Sequence, residues 1–179
     1  MPIILRLLNR FLLVLLCTGM LAGQVHAESG GEAAVKTAFL YNFLKFIDWP
    51  DAVSHQDAYH LCTTNNDQLG DSLMVLANKS INNKPIAIHR DIAGKDLKTC
   101  HMVFIAASEN AAAIVNDLKN LPIVTISDKA GFIQQNGIIG LVPIDNRLGF
   151  EINLDQANSV GIHIHAQLLK LAKYVKSTH

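Results

Sequence analysis

The residues of this chain that could do chemistry are two cysteines, a histidine pair and a few acids at loop positions. Cys62 and Cys100 each lie in or beside a segment that reads as a β-strand. In an exported protein the oxidising compartment favours a disulfide between them. The closed loop of about 39 residues would be worth on the order of 4 kcal/mol through the entropy removed from the unfolded chain. The competing chemistry is a thiol–imidazole pair at Cys100-His101. Neighbours on a strand point to opposite faces, which is poor geometry for proton transfer.

His163-Ile164-His165 is the one histidine cluster. On a strand the two rings would share a face and could hold a metal. No Cys or acid accompanies them at ligand spacing, so no metal site is expected. His165 reads instead as the residue that leads into the last helix. Asp128 and Glu151 are the best-placed acids, yet a turn and a hairpin surface explain them equally well. There is no Gly-rich phosphate loop, nucleophile elbow or paired-carboxylate site, so no catalytic residue and no cofactor are assigned and the chain reads as a non-enzyme. A subtler signal is the small polar set after each expected strand: Thr63-Thr64-Asn65, Ser108-Glu109-Asn110 and Ser127-Asp128. Thr63, Asn65, Ser108 and Asp128 could line a ligand crevice outside the carboxyl ends of the strands. Turns and helix caps require the same residue types.

The element that must position these groups is the stretch from Ala38 to Pro50, which holds the only Trp. At about 100° per residue, Val35, Phe39, Leu40, Phe43, Leu44, Phe46 and Ile47 fill an arc about 180° wide. Thr37, Tyr41, Asn42, Lys45 and Asp48 fall opposite. Lys36 alone sits inside the apolar arc, where its stem can snorkel outward. So broad an arc needs more than one covering neighbour. The pattern therefore predicts a first helix wedged into the core, with Phe39, Phe43, Phe46 and Trp49 as candidate partner or dimer contacts. Trp49-Pro50 ends it, because the residue before proline is pushed out of the helical region.

Beyond that break, strands are expected at Tyr59–Thr63, Pro85–His89, Met102–Ala107 and Leu121–Ile126. Asp67 is a candidate cap for a helix from Gln68 to Ala77, and Ser108 for an Ala-rich helix through Leu118. The alternation predicts α/β: a single domain whose largely parallel central sheet is flanked by helices. Gly137–Val142 and Leu148–Asn153 read as an appended C-terminal β-hairpin. Asp155 is expected to cap a short helical turn. Gln167–Val175 is expected to form a final amphipathic helix beside the first.

Residues 1–27 read as a signal peptide, with Arg6 and Arg10 in the basic region, Phe11–Ala22 apolar, and Val25-His26-Ala27 before the cut. The apolar run is shorter than the roughly 20 residues of a membrane span, so the exported chain is not expected to be membrane-spanning. The whole chain carries 15 basic and 15 acidic residues. Two Arg and no acid lie in the signal, so residues 28–179 carry 13 bases against 15 acids, a net charge of −2. With no basic run, nucleic acid is not an expected partner.

Taken together, these residues resemble the YfiR family of exported bacterial proteins. The carriers are Val35-Lys36-Thr37-Ala38-Phe39-Leu40-Tyr41-Asn42-Phe43 with Trp49-Pro50, Leu61-Cys62, and Thr99 through Ile105. To these add Ile126-Ser127-Asp128 with Gly131-Phe132 and Gly137, and Phe150-Glu151-Ile152-Asn153-Leu154 with Leu168-Leu169 and Leu171-Ala172. The resemblance implies a YfiR-like domain over residues 28–179 and a periplasmic repressor. Its partner would be an inner-membrane diguanylate cyclase, restrained through that enzyme's periplasmic sensor domain, so that loss of repression raises cyclic di-GMP and promotes biofilm. It also implies a Cys62–Cys100 disulfide and a homodimer. His163 and His165 depart from the family pattern, so no binding residue is carried over. A reading from another class is a periplasmic small-molecule-binding protein that uses the strand-end crevice.

Overall fold

In the first helix Leu40, Phe43 and Leu44 recur at helical spacing, and all three are buried. The computed structural model describes residues 28–145 and 147–178; the signal-peptide reading of 1–27 lies outside them. Glu32–His179 is one compact unit. In chain order the elements are α1 (Glu28–Lys45), β1 (Ile47–Asp48), α2 (Asp51–Ser54) and β2 (Tyr59–Thr63). A 3₁₀ helix (Gly70–Asn78), β3 (Ser80–Ile81) and β4 (Lys84–His89) follow, then a second 3₁₀ helix (Gly94–Thr99) and β5 (Met102–Ile105). Next come α3 (Ala111–Leu118), β6 (Val124–Ser127), β7 (Ile139–Ile144) and β8 (Arg147–Asn153). The chain closes with α4 (Leu154–Ser159), β9 (His163–Ile164), α5 (Ala166–Leu169) and β10 (Tyr174–Lys176).

The main sheet has eight strands in the order β10-β8-β7-β6-β5-β2-β4-β3. Pairing is parallel from β4 through β2, β5 and β6 to β7, and again between β8 and β10. The β7–β8 hairpin is antiparallel, as its sequence predicts, and so is β3–β4. The fold is therefore α/β with a largely parallel sheet. Successive strands leave β2 in opposite directions, to β4 on one side and β5 on the other, which makes the β2–β5 junction a topological switch point.

Each face of the sheet has its own core. On one, Leu61, Met102, Phe104, Ile126, Phe150 and Ile152 pack with Leu40, Phe43 and Leu44 of α1. On the other, Val103 and Ile105 pack with Val115 and Leu118 of α3. Cys62 belongs to this second core and is joined to Cys100, with Cα atoms 6.1 Å apart. The bridge ties β2 to the run into its neighbour β5. A separate two-stranded ladder, β1 with β9, pairs Ile47 with Ile164.

Several local expectations give way to tertiary structure. Asn110, not Ser108, caps α3, its side chain accepting from Ala113 N. Asn153, not Asp155, caps α4 by accepting from Gln156 N. The segment after Asp67 is 3₁₀ rather than α, and Asp67 itself turns back to the β2 end. The final helix stops at Leu169. Lys173 N donates to Phe150 O at 2.8 Å, and the chain straightens to add β10 beside β8. The ladder partner at the sheet edge overrides a helical pattern in which, of the α5 residues, only Leu168 is buried. Among the described residues no helix is long and apolar enough to cross a membrane.

Candidate functional site

α1 crosses its face of the sheet from the carboxyl ends of the strands to their amino ends, and distinct chemistry sits at each end. At the carboxyl end Lys36 does not snorkel. Its side chain is 8 % exposed and its Nζ lies 2.5 Å from Asp128 Oδ2 and 2.7 Å from Glu32 Oε1. Asp128 follows β6, so the pair clamps helix to sheet. Burial pulls the Lys36 ammonium down, but hydrogen bonds to Asp128 and Glu32 outweigh it and leave its pKa above the ordinary lysine value. Two buried oxygens beside this pair lack a hydrogen-bond partner among the described residues, Asp128 Oδ1 and Thr37 Oγ1. Thr37, expected on the polar side, is buried.

The other candidate crevice residues are spent differently. Thr63 donates to Asp67 Oδ2 at 2.6 Å, and Arg90 reaches both carboxylate oxygens of Asp67. Leu69 N donates to Oδ1. Burial pushes the Asp67 carboxyl up, yet Thr63, Leu69 N–H and Arg90 together hold it below the usual aspartate range. At the switch point Thr64 Oγ1 accepts from Ala106 N at 2.9 Å, which stitches β2 to β5 where a crevice would open. Asn65 and Ser108 are exposed. Of the four residues, Thr63 is buried in an internal pair, Asp128 is paired through Oδ2 and partly exposed, and Asn65 and Ser108 face solvent.

At the amino end of the sheet Trp49 is buried and its Nε1 donates to His101 O at 3.1 Å. Its ring lies edge-on to His101 and tilted against Tyr59. His60 N donates to His101 Nδ1 at 3.1 Å, so the His101 proton resides on Nε2, which faces Val53 O at 3.3 Å. Burial, with help from the nearby charges of His60 and Lys84, lowers the His101 pKa to about 4, although the Val53 carbonyl opposes the shift. His60 stacks on His101, and its Nδ1 meets His89 Nε2 at 2.9 Å.

The aromatic contact candidates divide in the same way. Phe43 and Trp49 face inward and belong to the core; Phe43 stacks on Phe39 and meets Phe150 edge-on. That placement corrects the expectation that all four rings could offer surface to a partner. Phe39 and Phe46 are half-buried, and Val35 is 44 % exposed. Val35, Phe39, Asn42 and Phe46 follow one another at spacings of four, three and four, a flank along α1 and just past its end that is only partly covered, Phe39 by Phe150 and Phe46 by His165.

His163 and His165 sit with ring centroids 5.8 Å apart. His165 precedes α5, as the sequence suggests, and its Nε2 is 2.7 Å from Asp48 Oδ2. No group of three or more His, Cys, Asp or Glu among the described residues could hold a metal. Glu151 pairs with Tyr174 in the β8–β10 ladder and is half-buried. Sequence reasoning misses the Lys36–Asp128 pair, for which a lone lysine inside an apolar arc was the available signal. It misses the stacked histidines as well, although His60 and His89 stand in expected strands and His101 beside one.

The family model described as YfiR/HmsC-like matches residues 33–173. No curated protein matches the chain at a significant level.

Proposed function

The chain belongs to the YfiR/HmsC-like family, and on that premise we propose that it is a periplasmic regulator that represses an inner-membrane diguanylate cyclase. Residues 1–27 are the signal peptide that exports it, and 28–179 the acting domain. Repression works by protein–protein binding to the cyclase's periplasmic sensor domain, with no catalytic step. The observation that carries the binding surface is the flank of Val35, Phe39 and Phe46. Its apolar groups are left partly in water although α1 is otherwise built into the core, and such groups are ordinary anchors for a partner. A homodimer formed by the same chain presents the flank twice.

The test replaces Val35, which is 44 % exposed, by Glu, alone and together with Phe46→Ser. Cyclic di-GMP is then measured against periplasmic abundance, and the cyclase is captured from membranes. Raised cyclic di-GMP with normal abundance and lost capture is expected. Unchanged cyclic di-GMP on complete deletion of the protein would sink the repressor reading.

A second reading, a periplasmic small-molecule-binding protein, is supported by the two partnerless oxygens of Thr37 and Asp128. Asp128 follows β6 and Thr37 adjoins its partner Lys36 on α1, so a small donor-bearing ligand at that strand end is the occupant such oxygens would take. Ligand-dependent thermal stabilisation that Thr37→Val abolishes would favour it.

A further inference from the structure

We propose that His101 is an acid-operated latch: protonation drives its ring out from under α2 and opens the corner that follows α1. The cause is a shortage of acceptors. Both ring nitrogens are already committed, Nδ1 accepting from His60 N at 3.1 Å and Nε2 donating to Val53 O at 3.3 Å. A second proton can go only to Nδ1, where it would meet the His60 N–H head on. Turning the ring over puts a carbon where each nitrogen was and loses both bonds. His101 is fully buried, and a buried cation without hydrogen-bond partners is costly, so the charged ring gains acceptors only by leaving.

The surroundings do little for a charged ring. From β2, Tyr59 meets it edge-on at 5.5 Å and His60 stacks on it at 5.6 Å and 12°. From β4, His89 lies beyond His60, and the Lys84 ammonium adds a like charge. Asp48 of β1 bears on Tyr59 instead, and Asp51 of α2 is exposed. Of the groups in contact, only the Val53 carbonyl favours the charged form. That carbonyl belongs to α2, a single turn with no buried residue. Beyond its own turn α2 is tied by His101 at Val53 O and by Lys84 Nζ, which donates to Ser54 O. It is therefore a light cover on the ring. The sheet need not unzip, because His101 N still donates to His60 O and Val124 N to His101 O once the side chain has gone. Histidines held neutral by their partners sense pH by this route. The open form gains about tenfold for each pH unit from about 6.5 down to about 4, below which the closed form also takes the proton. The device lies within this chain and needs no partner.

The His60 amide is a built-in reporter, since its acceptor is the atom that takes the proton. The Thr64 amide, just past the same strand, donates to Phe104 O and serves as the reference for opening of the sheet. The experiment measures hydrogen exchange of both amides by NMR from pH 7.5 to 4.5, corrected for the intrinsic effect of pH on exchange. In the wild type, His60 protection should fall about tenfold per pH unit below about 6.5 and stay lower than that of Thr64. His101→Asn offers Oδ1 to the His60 N–H and takes no proton, so its His60 profile should vary less than about twofold over the range. His89→Ala should keep the wild-type slope. A flat wild-type profile, equal protection of His60 and Thr64 at every pH, a slope that survives in His101→Asn, or one that vanishes in His89→Ala would each overturn the proposal. If His101→Asn does not fold, the wild-type slope and its contrast with Thr64 still decide.

Discussion

Lys36 Nζ lies 2.5 Å from Asp128 Oδ2 across 92 residues of sequence, and it is the contact by which the first helix grips the carboxyl ends of the strands. Asp128→Ala leaves a nearly buried ammonium with only the exposed Glu32 carboxylate. Breaking a buried pair from one side costs more than removing both charges. Asp128→Ala should therefore destabilise the fold by about 2–3 kcal/mol, and Lys36→Met/Asp128→Ala by less than the sum of its parts. Urea unfolding of the single and double variants measures the coupling. Strict additivity would show that the pair does not act as a unit.

His101 gives the fold an acid-sensitive element. Its pKa falls from the ordinary 6.5 to about 4 in the folded chain. Between those values the unfolded chain binds a proton that the folded one refuses, so stability is full above pH 6.5 and declines as the pH drops toward 4. The loss is on the order of 3 kcal/mol, since one pKa unit is worth about 1.4 kcal/mol. Protonation would place a hydrogen on Nδ1, where the His60 N–H now donates. Urea midpoints of wild type and His101→Gln at pH 7.5 and 4.5 should show a smaller acid loss in the variant. Parallel losses would remove His101 as the cause.

Trp49 belongs to the interior, and its replacement reports on folding rather than on a partner. Trp49→Ala should cost about 3–5 kcal/mol by leaving a large cavity. Trp49→Phe keeps most of the packing and forfeits the bond to His101 O, a loss of about 1 kcal/mol. Thermal melts of the two variants test the ranking. If Trp49→Ala were as stable as Trp49→Phe, the burial argument would fail.

The strands of the parallel sheet were legible because each is short, apolar and bounded by turn residues. Met102–Ile105, buried throughout, reads as a two-faced strand from composition alone. β2 falls on Tyr59–Thr63 as its sequence predicts. What the sequence hides is set at long range. Nothing near Lys36 announces Asp128, and nothing near Trp49 announces His101. Leu168, Leu169, Leu171 and Ala172 suit a helix locally, while the free edge of β8 that draws Tyr174–Lys176 into a ladder lies more than twenty residues upstream. The breadth of the apolar arc on α1 correctly marks a helix with several neighbours. It does not reveal that Phe43 turns inward while Val35 stays in water, because spacing gives a face and only packing gives its depth.

The small β1–β9 ladder has a consequence for the timing of synthesis. Ile47 pairs with Ile164, and Asp48 reaches His165 across 117 residues. That ladder therefore cannot form until almost the whole polypeptide has emerged, long after Trp49 can reach His101. Contacts this distant in sequence form slowly. Until β9 is made, β1 has no strand to pair with.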